Sequence, residues 1–220
     1  MAPRQLLGSL LDAADALEAS SDELNRLDGY AGDGDLGVTM SEVATVLRAV
    51  VAEAGDASTP KLLSSCGSSI ARSAPSTSGT LVATGFLRAA KAAGEVSGPD
   101  EPAAEVISRC FRAAMEGIQS RGKAALGDRT LVDGLDAVST SLQLSSSEGL
   151  SWQEALQRAA GAASSAAKAT ASMVPKTGRA SWVPDRALGH PDAGCTMLAL
   201  VMKAVAAGAL PGTASRTEMV

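Results

Sequence analysis

Three carboxylates fall within eight positions of one short segment, LDGYAGDGDLGVTM at residues 27–40: Asp28, Asp33 and Asp35, interleaved with Gly29, Gly32, Gly34 and Gly37. Like charges held together repel and raise one another's pKa, so three carboxylates folded onto one point require a cation to neutralise them. The glycines permit the tight backbone of such a turn. A ligand set made only of oxygens suits a hard cation, Mg²⁺ or Ca²⁺, and disfavours zinc. Counted from Asp33, an EF-hand would need glycine where Val38 stands and glutamate where Ala44 stands, so the calcium-loop pattern fails. A lone DGD is more often a solvated turn between helices. Here a third aspartate accompanies it, and other loops carry matching chemistry.

In PSTSGT, residues 75–80, Thr77, Ser78 and Gly79 open an apolar helical pattern. Free backbone N–H groups and the positive dipole end at such a start accept a phosphate, although alone this is only a good N-cap. LGDRT, residues 126–130 and including Gly127, stands at another helix start. As a plain capping turn it would use Asp128 or Thr130 as the cap and leave Arg129 in solvent. The segment VPKTGRASWVPDRALGHPDAG, residues 174–194, has no apolar period and reads as a long loop, with Lys176, Arg179 and Arg186 as cations free to fold over bound phosphates. Carboxylates for Mg²⁺, amides and hydroxyls for phosphates, and a basic cover are the parts phosphoryl transfer needs. Neither a GxxxxGK[ST] nor a GxGxxG pattern is present, so a nucleotide site must be of a helical-bundle type.

The elements that must position these loops read as helices throughout. Leu6, Leu7, Leu10, Leu11, Ala14 and Leu17 recur at three-to-four spacing, and Leu24 and Leu27 resume the pattern after a restart at SSD. Further amphipathic faces follow at 40–50, 60–74, 81–89, 106–118, 131–142 and 152–173, and an apolar helix closes the chain. The turn-rich GEVSGPDEP separates the fourth from the fifth. No alternating strand pattern and no repeat occurs, so the expected fold is all-α, one domain over residues 1–220 built as a bundle of eight antiparallel helices. With two Trp, two Phe and one Tyr, its core must be filled by Ala, Leu, Val and Met.

A net charge of −5 without a basic run excludes a general nucleic-acid footprint. The N-terminus lacks a continuous apolar run, being interrupted by Asp12, Asp15 and Glu18, and the apolar C-terminal helix is broken by Lys203, so neither a signal peptide nor a membrane span is expected and the protein reads as cytoplasmic. Cys66, Cys110 and Cys195 have no CxxC spacing and read as buried free thiols.

LDGYAGDGDLG, STSG, LGDRTLVDGLDAV and PKTGRASWVPDRALGHPDAG, in this order, resemble the nucleotide-binding L subunit or DAK2 domain of dihydroxyacetone kinases, over essentially the whole chain. The resemblance implies an eight-helix barrel or bundle with ADP or ATP at one end. Asp28, Asp33 and Asp35 would ligate two Mg²⁺ ions bridging the phosphates, and with Arg179, in a lid over them, would carry catalysis. Thr77, Ser78, Gly79 and Gly127 would contact the nucleotide, Leu131 would pack on its base, and Asp192 would lie near it. Family members often have His or Cys where Leu36 stands, and Val38 is apolar too, so phosphate contacts from this loop fall to Thr39. His190 reads as a residue that orders the lid. The ketose in this family is held by a separate K-type subunit or domain, for which this chain has no room. A K-type partner is therefore implied, and as phosphoryl source either ATP or a phosphotransferase-system protein acting on bound ADP. The reading from another class is a regulatory module that binds nucleotide without transferring phosphate. An apolar bundle end leaves a homodimer open.

Overall fold

The repeated three-to-four spacing of apolar residues becomes a set of helices, each burying one stripe, in the computed structural model, which describes residues 3–95 and 101–210. Among these residues there are ten α-helices and no strand. They are α1 (Pro3–Ala19), α2 (Ser21–Asp28), α3 (Leu36–Ala52), α4 (Thr59–Ser73), α5 (Thr77–Gly94), α6 (Ala103–Gly122), α7 (Leu131–Ser147), α8 (Trp152–Ala169), α9 (Pro184–Ala187) and α10 (Ala193–Gly208). Residues 96–100 of the turn-rich connection lie outside the described residues.

Eight of these are long and correspond to the eight expected. They close into a ring: α1 packs on α3, α3 on α4, and so on through α8, which packs on α10, and α10 returns to α1. Consecutive neighbours joined by short connections run antiparallel. Two short helices are additional. The restart at Ser20 makes α2 a separate helix of eight residues, anchored by buried Leu24 and Leu27, and α9 is a single turn inside the long loop. The loop also holds a 3₁₀ turn, Arg179–Trp182. The helix expected to reach about Met173 stops at Ala169 and tightens into a 3₁₀ turn, Thr170–Ser172. There the Thr170 hydroxyl donates to the Ala167 carbonyl at 2.5 Å, a local bond that competes with helix continuation.

The core has two parts. One gathers α1 to α5, with Leu24, Met40, Leu47, Leu62 and Ile70 fully enclosed, and the other gathers α6 to α8, with Val138, Leu142, Ala155, Ala159 and Ala163. Helix α10 belongs to both, contributing Ala193 and Met197 to the first and Cys195, Leu198 and Met202 to the second. That is why it is apolar nearly all round. No described helix is long and apolar enough to cross a membrane. The three cysteines are free, with Cys66 and Cys195 buried and Cys110 partly so. Burial pushes the Cys66 thiol up to about 12 and that of Cys110 up to about 11.

Candidate functional site

Alternation round the ring sends the N-termini of α3, α5, α7 and α10 to the same end, and every motif singled out above lies at one of these four starts. Contacts tie the starts together. The Thr39 hydroxyl of α3 donates to Ser76 Oγ at the head of α5, at 3.2 Å, and the Cys195 thiol of α10 donates to the Thr130 carbonyl at the head of α7, at 3.0 Å.

The aspartate loop joins α2 to α3. Asp28, at the last residue of α2, turns its carboxylate back so that Oδ2 accepts the backbone N–H groups of Gly34 at 2.8 Å and Asp35 at 3.2 Å. A Cβ on Gly32 would stand 2.3 Å from Asp28 Oδ1, so a larger residue there would push this carboxylate from its place. Gly34 adopts φ +77°, the left-handed region. Asn25 of α2 supplies the cap that Asp35 does not: its Oδ1 accepts Gly37 N–H at 2.6 Å and Val38 N–H at 3.3 Å. As a result, carboxylate oxygens of Asp28, Asp33 and Asp35 lie within 4.8 Å of one another. Asp28 is half-buried and the other two are exposed. Three oxygen donors at this spacing fit a hard divalent cation. Leu36 is buried in the core, whereas Val38 is exposed.

At the α5 start the first-turn groups divide their roles. Ser76 is the N-cap and its Oγ accepts the Gly79 N–H at 3.0 Å, so that amide is turned inward. A Cβ on Gly79 would sit 2.1 Å from the Ala74 carbonyl oxygen. Thr77 and Ser78 are first-turn residues of α5, whose amides have no partner within the helix. At α7, Thr130 and Asp133 form a capping box, and Asp133 also accepts the Gly127 N–H at 2.5 Å, so this amide too is committed within the turn. Leu131, half-buried, opens α7 and packs against both cores.

The long loop lies over this end as a lid. Arg179 forms an ion pair with Asp33, and Arg186 donates to the Gly29 carbonyl at 3.2 Å. His190 stacks on Tyr30 of the aspartate loop, ring centroids 3.5 Å apart and planes 5° from parallel, which is a lid-ordering contact. The Lys176 N–H donates to the Asp128 carbonyl at 3.2 Å. Asp192 is the N-cap of α10, accepting the Cys195 N–H at 2.8 Å. Burial pushes its carboxyl up, against the opposing pull of that hydrogen bond and of the Arg129 guanidinium.

The structure thus brings Asp28, Asp33, Asp35 and Arg179 together and sets Thr39, Thr77, Ser78, Gly79, Gly127, Leu131 and Asp192 at the same end. Thr39 is buried and engaged with Ser76. The capping turn at 126–130 does use Thr130, but Arg129, which that reading left in solvent, is buried. Asn25, Ser76 and Tyr30 were not singled out in the sequence. An Asn twelve residues before a glycine-headed helix carries no local signal, whereas Ser76 directly before TSG is a readable N-cap.

The chain matches the DAK2 domain family model over residues 30–207. It is 36% identical over 205 residues to D-erythrulose kinase of Mycolicibacterium smegmatis, covering 92% of this chain and 35% of that protein. Against the ADP-binding subunit DhaL of the PEP-dependent dihydroxyacetone kinase of Escherichia coli it is 33% identical, covering 93% of this chain and 96% of the subunit. The chain therefore spans about a third of the first relative and nearly all of the second. Among solved structures, dihydroxyacetone kinase of C. freundii in complex with AMP-PNP and Mg²⁺ superposes with a TM-score of 0.74 at 24% identity, over 94% of this chain and 34% of that one. This likeness establishes the shared fold.

Proposed function

This chain belongs to the DAK2 domain family, and on that premise we propose that it is the Mg-nucleotide-binding part of a kinase that phosphorylates dihydroxyacetone or a related small ketose held by a K-type partner. The observation that carries the reading is the Asp28, Asp33 and Asp35 cluster beside the α5 N-terminus and beneath a lid whose Arg179 already reaches Asp33. The names of the relatives, ketose kinases and an ADP-binding subunit, support the same class.

In this reading the three aspartates hold the magnesium carried by ADP or ATP, two ions being the expected number. Bound there, the metal neutralises charge on the phosphates and on the group in flight. The chain's own residues do the positioning. Thr77 and Ser78 amides point at the phosphates from a helix start, where the dipole favours anions. With a cation held at Asp33, Arg179 would be free to pair with phosphate oxygens instead. The lid closes over them, excluding water that would otherwise accept the phosphoryl group. Leu131 offers the apolar surface for the base, and Gly127 and Asp192 flank it.

The test is to denature freshly purified protein, identify released nucleotide and metal by mass spectrometry, and then titrate Mg-ATP by calorimetry with and without a K-type subunit and dihydroxyacetone. Stoichiometric bound ADP marks the route through a phosphotransferase-system donor, and an exchangeable ATP site marks direct transfer. Nucleotide binding without turnover in the presence of the K-type subunit favours the regulatory reading, to which the apolar Leu36 and Val38 lend weight. No magnesium-dependent nucleotide binding overturns the proposal.

A further inference from the structure

Arg129 is 5% exposed, and all three of its described hydrogen bonds go to backbone carbonyls. Its Nε donates to Thr170 at 3.1 Å, and its Nη2 donates to Ala187 at 2.9 Å and to His190 at 2.7 Å. Thr170 stands where α8 gives way to the lid, and Ala187 and His190 stand where the lid returns to α10. One guanidinium therefore grips both feet of the loop. The grip is reinforced by the Gly189 N–H donating to the Ala171 carbonyl at 2.9 Å and the Asp192 N–H donating to Thr170 Oγ1 at 2.8 Å.

Two features mark this as a placement rather than ordinary packing. Arg129 has φ +61°, one of two non-glycine residues in the left-handed region among those described, a conformation L-residues rarely adopt without compensation. It also makes no carboxylate ion pair within 4 Å among the described residues. A buried guanidinium satisfied by carbonyls in fixed directions serves geometry, because its planar fork reaches partners on two segments that an ammonium cannot reach together. The residue is followed directly by the Thr130 cap and by Leu131, so the same backbone that orients the guanidinium also sets the head of α7.

We infer that Arg129 is a positioning residue for the nucleotide site: it clamps the base of the lid to the head of α7, and so sets where Arg179 and His190 meet the aspartate loop. This inference rests on the Mg-nucleotide reading above for its functional consequence, and on the lid geometry alone for its structural one. None of Arg129's described hydrogen bonds reaches the carboxylate cluster or the start of α5. It acts through the segment it holds.

The test uses the full chain in two arms. In the first, without nucleotide, hydrogen exchange is followed by mass spectrometry in Arg129→Met. Residues 187–192 are expected to exchange faster while the core helices α3 and α7 exchange as before, and Arg129→Lys, which keeps the charge and three donors, should fall between. Unchanged exchange at 187–192 overturns the clamp. If Arg129→Met does not fold, Arg129→Gln, which keeps two donors on a shorter arm, takes its place. In the second arm Mg-ADP affinity is measured. Outer-shell partners of such sites commonly carry about tenfold or more in affinity. A loss of about tenfold is expected in Arg129→Met, shrinking to less than about twofold when Arg179 is already alanine, because residues coupled through one backbone segment are non-additive. The same loss in both backgrounds means that Arg129 does not act through the lid and overturns the inference. An unsubstituted protein that binds no Mg-nucleotide sinks the functional reading instead, and the exchange arm still decides whether the clamp exists.

Discussion

Replacing Asp35 by asparagine should separate the cost of the carboxylate cluster from its use. Asp35 is exposed, and its carboxylate makes no capping hydrogen bond to α3. The N–H it gives to Asp28 is backbone and survives the change. Its oxygens lie within 4.8 Å of those of Asp28 and Asp33. At that separation two unit charges repel by about 0.9 kcal/mol in water, so removing one charge ends repulsion of about 1.7 kcal/mol. From this must be taken about 0.3–1 kcal/mol for the lost anion at a helix N-terminus. Arg179 already balances Asp33 and reduces the gain further. The net is a stability unchanged or raised by up to about 1 kcal/mol, a rise in Tm of at most about 2–4 °C for a chain of this size. Magnesium reverses the sign. A divalent ion about 4 Å from a carboxylate in water gains about 2 kcal/mol from it, so the variant should bind Mg²⁺ about 30-fold more weakly. Thermal unfolding followed by circular dichroism, at about 0.01 M ionic strength to limit screening, with and without Mg²⁺, reads both. A variant that is less stable without magnesium, or that is stabilised by magnesium as much as the unsubstituted protein, would refute the reasoning.

Two glycines should respond to alanine in opposite directions. A Cβ at Gly79 meets the Ala74 carbonyl at 2.1 Å, so Gly79→Ala should lose about 1–3 kcal/mol; Gly161→Ala in α8 meets nothing within 4 Å and should gain about 0.5–1 kcal/mol. Denaturant titration of both variants checks the signs. Burial that lifts Cys66 to about 12 and Cys110 to about 11, and Cys195 also upward, should leave all three nearly inert to Ellman's reagent at pH 8 until the chain is unfolded. A fast-reacting native thiol would contradict that packing. The Asp192 carboxyl is raised in the folded state, so the proton it binds stabilises the fold below the ordinary aspartate pKa, and this contribution is lost as pH rises through the raised value. Asp192→Asn, which keeps the cap, should remove that part of the pH dependence of stability, as measured by chemical denaturation across pH 3–8.

The long helices were readable because each repeats its apolar residues at the helical period over several turns, and the loops were readable because Gly, Pro and Asp punctuate them. The cluster of Asp28, Asp33 and Asp35 was legible for the same reason, since its residues share one turn and local spacing already restricts where they can meet. What the sequence does not show is set by packing between segments far apart in the chain. Asn25 caps α3 from another helix, Thr39 is buried against Ser76, and Arg129 finds its acceptors 41 to 61 positions away. An arginine in a polar turn is solvated by default. Only the return of the lid to the head of α7 makes burying it favourable. The break at Ser20 was visible in the cap-type residues of SSD, but that α2 would turn to bring Asn25 onto the head of α3 was not, because that placement is set by Leu24 and Leu27 packing into the core.

The alternation of helix direction round the ring also governs how an anion would arrive. Four dipoles point their positive ends at the site and four point away, so beyond the first turn their fields cancel and only the net charge of −5 is felt at a distance. A phosphate-bearing ligand therefore approaches against the net charge of the chain and meets the attraction of the helix starts and of Lys176, Arg179 and Arg186 only at short range. Its association rate should rise as salt is added, the reverse of an electrostatically steered encounter, and complexation with magnesium before arrival would quicken capture by lowering the charge that has to be brought in.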